Sequence, residues 1–323
     1  MPDDAHSTAI AFGPIPSRRL GRSLGVNNIP PKVCTYSCVY CQIGVTGRIE
    51  VERQAFYESQ QIYEEVANRV ETFGRLGGGI DYITFVPDGE PTLDINLGEE
   101  IRLLKSLGLK MAVITNAALL HQADVRRDLA GADWVSIKVD AVSEDTWLRL
   151  NRPHRGLSLD KVKEGMLRFA GEYTGDLMTE TMVLAGYNDN ERELREVGAL
   201  VRSLGPAKAY IGVPTRPPAL GSVRPASPHQ INLAYQIFTA AGVDTEIMLG
   251  YSGDPFASTG NARDDILSIT AVHPMPEEAV RDLLTRCGEH WSVVEDLIRE
   301  GLLLEVEYLG GRHYLRNFDQ KIG

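Results

Sequence analysis

Residues 33–44 read VCTYSCVYCQIG and contain three of the four cysteines in the 323-residue chain. Cys34, Cys38 and Cys41 are separated by three and then two residues, so one loop carries all three thiols. The fourth cysteine, Cys287, is distant in the sequence, and no histidine lies near the triad. The spacing predicts that the three thiolates bind one metal centre and leave its fourth ligand position open.

Three interpretations of the triad compete. Zinc sites usually have four ligands, commonly with cysteines in pairs two residues apart. A disulfide would leave one thiol over and is not favoured in a reducing compartment. A cubane iron–sulfur cluster (4Fe–4S) is commonly held by four cysteines, so three cysteines leave one iron open to a small molecule. Tyr40, just before the last cysteine, is interpreted either as an aromatic face beside that iron or as ordinary packing.

The composition limits the class of protein. Hydrophobic residues make up 43% of the chain, and there is no run of about 18 uncharged apolar residues, so we expect a sizeable core and no membrane span. The first residues, MPDDAHSTAI, lack the basic segment of a secretory signal, and the few cysteines do not suggest a disulfide framework. We therefore expect a cytoplasmic protein.

Charge is unevenly distributed along the chain. The net charge of −11 disfavours generic binding to nucleic-acid phosphates. Residues 14–49, which include the cysteine triad, nevertheless carry five basic residues and no acidic ones. This segment predicts either local pairing with acidic residues elsewhere in the fold or a pocket for anionic groups or a negatively charged cluster.

Short β-branched runs alternate with segments of helical periodicity. We predict strands at 23–29, 81–87, 110–117, 134–141, 177–186, 208–215 and 245–250, and helices at 57–73, 94–106, 121–130, 158–171, 190–204 and 228–241. This alternation predicts βαβ units, an α/β fold and a parallel sheet. Six or more such units favour a closed or partly open barrel over a two-sided open sheet.

The pattern changes near residue 262. Two short helical segments, PEEAVRDLLTRCG and HWSVVEDLIREG, precede two strands around a Gly-Gly turn, which is the order of a winged-helix module. We predict a barrel domain at 1–261 and a small winged-helix-like module at 262–323, with a C-terminal cap on the larger domain as the alternative. Residues 271–323 carry six basic and ten acidic residues, which favours contact with protein or substrate over DNA.

The C-x3-C-x2-C spacing, with an aromatic residue before the last cysteine, resembles the radical S-adenosylmethionine (SAM) superfamily. The resemblance implies a partial (β/α)6 barrel of the TIM type with the cluster at its C-terminal mouth. It also implies that the open iron binds the amino and carboxylate groups of SAM. One electron then cleaves SAM to methionine and a 5′-deoxyadenosyl radical, which takes a hydrogen atom from the substrate. The expected electron donor is a reduced flavodoxin or ferredoxin.

Two further motifs correspond to SAM-binding positions of the superfamily. In TFVPDGEPTL (84–93), the residues Asp88, Gly89 and Glu90 resemble the superfamily's G-G-E-P motif, with Asp88 in place of the first glycine. The resemblance implies that this motif binds the SAM amino group. Asn116 lies at the end of a predicted strand, where the superfamily often contacts SAM, and is the implied contact there.

Later polar residues are weaker site predictions. Lys138 and Asp140 share one face of a strand, where they would engage SAM or each other, and Thr181 lies beside Glu180 in the next strand. Three later loops are predicted either to approach the barrel mouth or to be exposed linkers. Their candidate substrate residues are Arg152 in LNRPH (150–154), Arg216 in PTRPP (214–218) and Tyr251 in the 250–265 loop.

The resemblance covers about residues 12–318 and points to a branch of iron–sulfur oxidoreductases related to the wyosine-synthesising tRNA enzymes. We predict a radical SAM enzyme that acts on a small molecule, a peptide or a protein-bound group. A tRNA-modifying enzyme of the wyosine type is one alternative, although only Cys287 remains for a second cluster and the acidic charge disfavours tRNA. A non-catalytic iron–sulfur sensor that uses the C-terminal module is the other.

Overall fold

The computed structural model describes residues 9–75, 78–248, 258, 260–272, 274–308 and 310–317. Its strands are β1 (Ala11–Ser17), β2 (Gly21–Val26), β3 (Val33–Cys34), β4 (Arg48–Ile49), β5 (Tyr82–Phe85), β6 (Lys110–Thr115), β7 (Trp134–Lys138), β8 (Asp176–Met182), β9 (Lys208–Gly212), β10 (Thr245–Met248), β11 (Met275–Pro276), β12 (Leu303–Tyr308) and β13 (Gly311–Arg316). Its α-helices are α1 (Ser59–Arg75), α2 (Leu97–Lys105), α3 (Ala123–Leu129), α4 (Glu144–Leu150), α5 (Leu159–Glu172), α6 (Glu191–Leu204), α7 (Pro228–Ala240), α8 (Ala262–Val272), α9 (Glu277–Cys287) and α10 (Ser292–Arg299).

The main sheet has eight strands in the order β1-β2-β5-β6-β7-β8-β9-β10. β1 is antiparallel to β2, and every later neighbour is parallel. Among the described residues no pairing joins β10 back to β1, so the sheet is open. This arrangement confirms the predicted α/β class with a mostly parallel sheet and is consistent with a partial barrel.

The helices cover one face of this sheet because their apolar stripes match its apolar side chains. Ile83, Val135 and Ile211 lie in the large core together with helix residues such as Val66 and Phe238. Such burial contributes about 1.5–3 kcal/mol for each large aliphatic side chain. Local sequence signals set the helix ends, as in α6, which starts after a capping asparagine and ends at a left-handed glycine.

The opposite face of the sheet surrounds the barrel lumen. Trp134 of β7 and Tyr210 of β9 are buried there with Leu20, which lies in the turn between β1 and β2. Arg19, from the same turn, places its guanidinium 5.8 Å from the Trp134 ring centroid and 5.5 Å from that of Tyr210. The β1–β2 turn therefore closes one end of the lumen, away from the carboxyl ends of the parallel strands.

A second hydrophobic core forms from residues 262–314. It includes α8, α9 and α10 and a three-stranded sheet in the order β11-β13-β12. Ile15 of β1 packs against this core, and the Tyr308 hydroxyl donates a hydrogen bond to the carbonyl oxygen of Pro214 at 2.9 Å. The C-terminal residues therefore pack on the main sheet, close to the loop that follows β9.

Most predicted elements match the structure to within a few residues. The longer elements β1, α4 and α8 were missed, as were the two-residue strands β3, β4 and β11. The 250–265 segment was predicted as one loop, but its last residues begin α8 at Ala262, and Tyr251 lies outside the described residues. In the described part of the chain, no helix is long and apolar enough to cross a membrane.

Candidate iron–sulfur and cofactor site

The cysteine loop, residues 32–47, folds back on itself. The backbone N–H of Cys41 donates to the carbonyl oxygen of Cys38 at 3.1 Å, and that of Gly44 donates to the carbonyl oxygen of Cys41 at 3.3 Å. Lys32 (φ 61°) and Gly44 (φ 91°) adopt left-handed backbone conformations where the chain reverses. The three cysteine thiols are half-buried and lie close enough to influence one another electrostatically.

The surroundings oppose ionisation of the bare thiols. Burial, and after it the charge of Asp140, raises the pKa of Cys38 to about 12. Burial, followed by the charge of Glu90, also raises the pKa of Cys34, and burial raises that of Cys41. Thiolates at these positions therefore need a positively charged ligand to balance them, which iron ions supply.

The loop after β5 braces the cysteine loop from one side. The N–H of Lys32 donates to the carbonyl oxygen of Asp88 at 2.6 Å, and the N–H of Glu90 donates to that of Val33 at 3.1 Å. Gly89 lies between these two bonds and pairs with Val33 as in a parallel sheet. A Cβ on Gly89 would lie 1.9 Å from the Val33 carbonyl oxygen, so this close approach requires glycine.

Glu90 organises this loop with both carboxylate oxygens. Its Oε1 accepts from the Thr92 N–H (3.1 Å), the Thr92 hydroxyl (2.6 Å) and the Thr115 hydroxyl (2.6 Å). Its Oε2 accepts from the N–H of Asn116 at 2.8 Å. Burial raises the pKa of Glu90, while these hydrogen bonds oppose that rise by stabilising the charged form. Glu90 therefore ties the end of β6 to the loop after β5.

The LNRPH segment, residues 150–154, braces the cysteine loop from the other side. The N–H of Ser37 donates to the carbonyl oxygen of Asn151 at 3.0 Å, and the N–H of His154 donates to that of Thr35 at 2.9 Å. Arg152, within this segment, has a left-handed backbone (φ 47°) and an exposed side chain. The prediction that LNRPH approaches the site is consistent with these contacts, and the role of Arg152 toward substrate stays a prediction.

Two side-chain amides donate to the cysteine sulfurs. The Asn116 amide lies 3.4 Å from Cys34 Sγ, and the Asn151 amide lies 3.4 Å from Cys38 Sγ. Asn116 was predicted as a site residue, whereas Asn151 was not, although it lies in the LNRPH segment that had been singled out. Hydrogen bonds to the sulfurs are one way in which proteins tune the potential of an iron–sulfur cluster.

Tyr40 and Asp140 form a buried pair beside the cysteines. The Tyr40 hydroxyl donates to Asp140 Oδ2, which also accepts from the Asn151 amide at 3.1 Å. Asp140 Oδ1 accepts from the N–H of Met182 at 2.9 Å. Burial raises the pKa of Asp140, and Lys138 and these donors work against the rise. Asp140 therefore links the cysteine loop to the ends of β7 and β8.

A charged triad lies below this pair, in the lumen. Glu180 of β8 pairs with Lys138 of β7 at 2.8 Å and with Arg19 at 2.7 Å. Although burial opposes it, the charges of Lys138 and Arg19 hold the pKa of Glu180 well below its usual range. Lys138 and Asp140 were expected to contact SAM or each other. Lys138 forms its ion pair with Glu180 instead, and Asp140 acts on Lys138 only through its charge at longer range.

Thr181 lies on the other face of β8 from Glu180, because successive side chains in a strand alternate. Its buried hydroxyl donates to the carbonyl oxygen of Val139 at 2.9 Å, next to the helix-covered core. The structure thus places Thr181 among the residues that join β7 to β8, away from the lumen. Its prediction as a cofactor contact gains no support from this position.

Asp88 is a buried carboxylate without a hydrogen-bond donor. It is 2% exposed, and in the described residues neither of its oxygens has a hydrogen-bond partner. Burial raises the pKa of Asp88 well above its usual value, and the nearby charge of Lys32 only partly offsets this. The carboxylate lies close enough to Cys41 to raise the pKa of that thiol. Such an unpartnered group beside the cysteines is suited to a cationic ligand group.

Arg216 reaches the cysteine loop from the segment after β9. Its guanidinium donates to Gln42 Oε1 at 2.7 Å, and Gln42 directly follows Cys41. His313 of β13 lies near enough to Arg216 for that charge to contribute to lowering the pKa of His313, after the larger effect of burial. The predicted approach of Arg216 to the mouth therefore agrees with its position.

Comparison with known proteins settles the family. A sequence profile of the radical SAM superfamily matches residues 28–197, which is just over half of the chain. The chain belongs to the radical SAM superfamily. It is 42% identical over 315 residues to a UPF0026 protein of Methanocaldococcus jannaschii, and the match covers 97% of each chain.

Solved radical SAM structures share the fold. A radical SAM methyltransferase from Sphaerobacter thermophilus matches with a TM-score of 0.53 and 17% identity over 70% of this chain and 65% of that one. Streptococcus suis SuiB bound to S-adenosylmethionine matches with a TM-score of 0.51 and 12% identity, over 73% of this chain and 53% of that one. Members of the superfamily use a 4Fe–4S cluster and SAM, which confirms the predicted cofactors. Membership also indicates an enzyme that needs a reductant.

The residues of this chain fit such a cluster. Three cysteines, none of them in a disulfide, lie on one braced loop. Amide donors reach two of the sulfurs, and the unpartnered carboxylate of Asp88 lies beside the third cysteine. The donor set therefore has the chemistry that radical SAM proteins need.

Proposed function

We propose that the chain is a radical SAM enzyme in which Cys34, Cys38 and Cys41 hold three irons of a 4Fe–4S cluster and leave the fourth for SAM. One observation carries the proposal: the three-thiol loop is fixed on both sides by backbone hydrogen bonds and receives amide donors at two sulfurs. When bound, the cluster supplies the electron that cleaves SAM to methionine and a 5′-deoxyadenosyl radical, which removes a hydrogen atom from the substrate.

We assign four residues to the SAM site, namely Asp88 as a contact and Gly89, Glu90 and Asn116 as supports. The carboxylate of Asp88, which has no hydrogen-bond partner among the described residues, suits the SAM ammonium group. Because the superfamily motif has glycine at this position, Asp88 would add a contact to SAM. Gly89 allows the close approach of the two loops, and Glu90 positions them, since both of its oxygens are already engaged by the chain itself. The Asn116 amide donates to Cys34 Sγ and to the Thr35 hydroxyl, and its Oδ1 accepts from the Ala118 N–H, so we assign Asn116, like Glu90, to holding the cysteine loop in place for SAM.

The substrate is proposed to occupy the lumen between the cysteine loop and the charged triad. Lys138 and Arg19 are balanced in charge by Glu180 and Asp140, so this surface presents paired opposite charges and favours a polar substrate. Tyr40 and Asp140 line the route between this triad and the cysteines. The substrate class is a small molecule, a peptide or a protein-bound group.

We propose two domains, a barrel at 1–261 and a module at 262–323, and the presence of two hydrophobic cores supports this division. The second core has the element order helix, strand, helix, helix and hairpin, and its strand order supports a winged-helix-like module. Tyr308 contacts Pro214, two residues before Arg216. We therefore assign the module to the wall of the substrate mouth, where it would help to select the substrate.

The proposal is tested by anaerobic reconstitution followed by reductive cleavage of SAM. Wild-type protein is expected to bind about four irons and to form 5′-deoxyadenosine with dithionite and SAM. Replacing any cysteine of the triad with alanine should abolish both. Cys287→Ala is the matched control, because Cys287 lies in the second core beside Ser258 and should leave both unchanged. An intact cluster that does not cleave SAM would overturn the proposal.

The two alternatives have separate tests. A gel shift with bulk tRNA at low and high salt examines the wyosine-type, tRNA-modifying alternative, since phosphate contacts weaken as salt rises. A sensor would bind the cluster without turning over SAM, so the dithionite assay separates it from an enzyme. Transfer of deuterium from labelled candidate substrates into 5′-deoxyadenosine identifies the substrate class directly.

A further inference from the structure

The outer surface of the cysteine loop carries an exposed patch of arginine and aliphatic side chains. We name it the arginine face and define it by Val45, Arg48, Ile49, Arg152 and Arg155, all of which are exposed. Val45 and Ile49 are 54% and 40% exposed. Exposed apolar side chains that belong to one contiguous patch rimmed by charge commonly mark a surface that contacts another protein.

The arginine face is continuous because its two segments, residues 45–52 and 152–155, form hydrogen bonds to the same stretch of backbone. From one side, the Glu50 N–H and the Thr46 hydroxyl donate to carbonyl oxygens within residues 34–36 at 2.9 Å and 2.7 Å. From the other side, the His154 N–H donates to a carbonyl oxygen in the same stretch at 2.9 Å. That stretch begins at Cys34, so one layer of backbone separates the arginine face from the ligand thiols.

The arginine face is positive on an acidic protein. Residues 45–52 and 152–155 carry three arginines and two glutamates, which is a net charge of +1, whereas the whole chain has a net charge of −11. Glu50 is paired with Arg48 at 2.8 Å. Within the part of the chain that the structure describes, the exposed guanidinium groups of Arg152 and Arg155 have no hydrogen-bond or ion-pair partner. Unpaired arginines next to exposed aliphatic groups suit an acidic protein surface.

We propose that the arginine face docks a small acidic protein that carries single electrons, of the flavodoxin or ferredoxin class. The inference rests on the proposed function, which requires one electron for each SAM that is cleaved. In the docked complex the carrier is oxidised by one electron and the cluster is reduced by one, with no bond or proton transferred. The lumen side of the loop faces Asn116 and Asp140 and is reserved for SAM and substrate, so the electron enters from the opposite side.

The test uses the reconstituted holoenzyme and a purified acidic flavodoxin as the probe. The variant R48E/R155E reverses two charges of the arginine face, and R192E/R195E on α6 is the matched control, because it reverses two exposed arginine charges elsewhere. Two quantities are measured at low and high salt. They are the dissociation constant for oxidised flavodoxin, with and without the cluster in place, and the rate at which reduced flavodoxin bleaches the cluster.

We expect R48E/R155E to weaken flavodoxin binding and slow cluster reduction by about tenfold or more at low salt, with the difference shrinking at high salt. The control variant should match the wild type. Equal binding and reduction by R48E/R155E and wild type would overturn the inference. So would a loss of tRNA binding in R48E/R155E with flavodoxin binding intact, because the surface would then serve a nucleic acid. Cleavage of SAM with dithionite is independent of docking, so its failure would count against the proposed function alone.

Discussion

Replacing Gly89 with alanine should separate the two loops that form the cofactor site. The added methyl group would lie 1.9 Å from the Val33 carbonyl oxygen and 2.8 Å from the Ile29 side chain, whereas real Cβ contacts essentially never fall below 3.0 Å. The carbonyl must therefore retreat by about 1 Å. The Val33 carbonyl oxygen accepts a hydrogen bond from the Glu90 N–H at 3.1 Å, and this shift would weaken that bond. The shift would also weaken the neighbouring hydrogen bond from the Lys32 N–H to the Asp88 carbonyl oxygen.

The magnitude follows from those two backbone bonds. Leaving a buried donor or acceptor unpaired costs about 1–3 kcal/mol for each group, and the lower entropy of unfolded alanine returns up to about 1 kcal/mol. We expect Gly89→Ala to lose about 1–6 kcal/mol. The middle of this range is a large part of the roughly 5–15 kcal/mol that is typical of a folded protein.

The assay for this variant is urea unfolding of the cluster-free chain, followed by iron analysis after reconstitution. Gly89→Ala should unfold at a lower urea concentration and bind less iron than the wild type. Gly74→Ala is the matched control, because Gly74 lies in α1 with no atom within 4 Å of an added Cβ, and alanine favours the helix. If Gly89→Ala unfolded at the wild-type urea concentration and loaded a full cluster, the close approach of the loops would not be essential.

Two further perturbations test other parts of the structure. Burial, and then the charge of Asp94, raises the pKa of Glu100 well above its unfolded value of 4.5. The folded chain therefore keeps a proton that the unfolded chain releases, and stability falls as the pH rises above that unfolded value. Glu100→Gln should therefore raise the melting temperature more at about pH 8 than at about pH 5, and equal gains at both would contradict this. Asn151→Leu removes a hydrogen-bond donor to Cys38 Sγ. In a redox titration monitored by EPR, the variant should lower the reduction potential of the cluster by about 20–40 mV. An unchanged potential would show that the Asn151 amide does not tune it.

The periodic elements of the fold could be predicted from the sequence because each repeats a local signal. The strand predicted at 134–141 contains β7, and the helix predicted at 190–204 almost coincides with α6. β1 was missed because Pro14 and Pro16 make it resemble a loop, although an edge strand tolerates proline. Short helices such as α4 offer too few turns for a clear period.

The three cysteines could be identified as candidate ligands from their spacing, whereas the supports around them depend on strand register. Lys138 was considered with Asp140 because they are two residues apart, but its ion-pair partner is Glu180, which the pairing of β7 with β8 places directly opposite. Asn151 gave no signal beyond its place in LNRPH, because a lone asparagine has no periodicity or spacing to read. Its role arises from the reversal that brings residues 150–154 back to the cysteine loop.

The bracing of the cysteine loop has a consequence for the lifetime of the enzyme. In a zinc finger the metal supplies the folding energy, and the chain unfolds when it is removed. Here the cysteine loop is held by hydrogen bonds to residues 88–90 and 150–154, and these bonds do not depend on a metal. A molecule whose cluster has been destroyed by oxygen should therefore stay folded and keep its thiols in place. Oxygen damage would then be reversible, because a new cluster could be assembled on cysteines that are already in position.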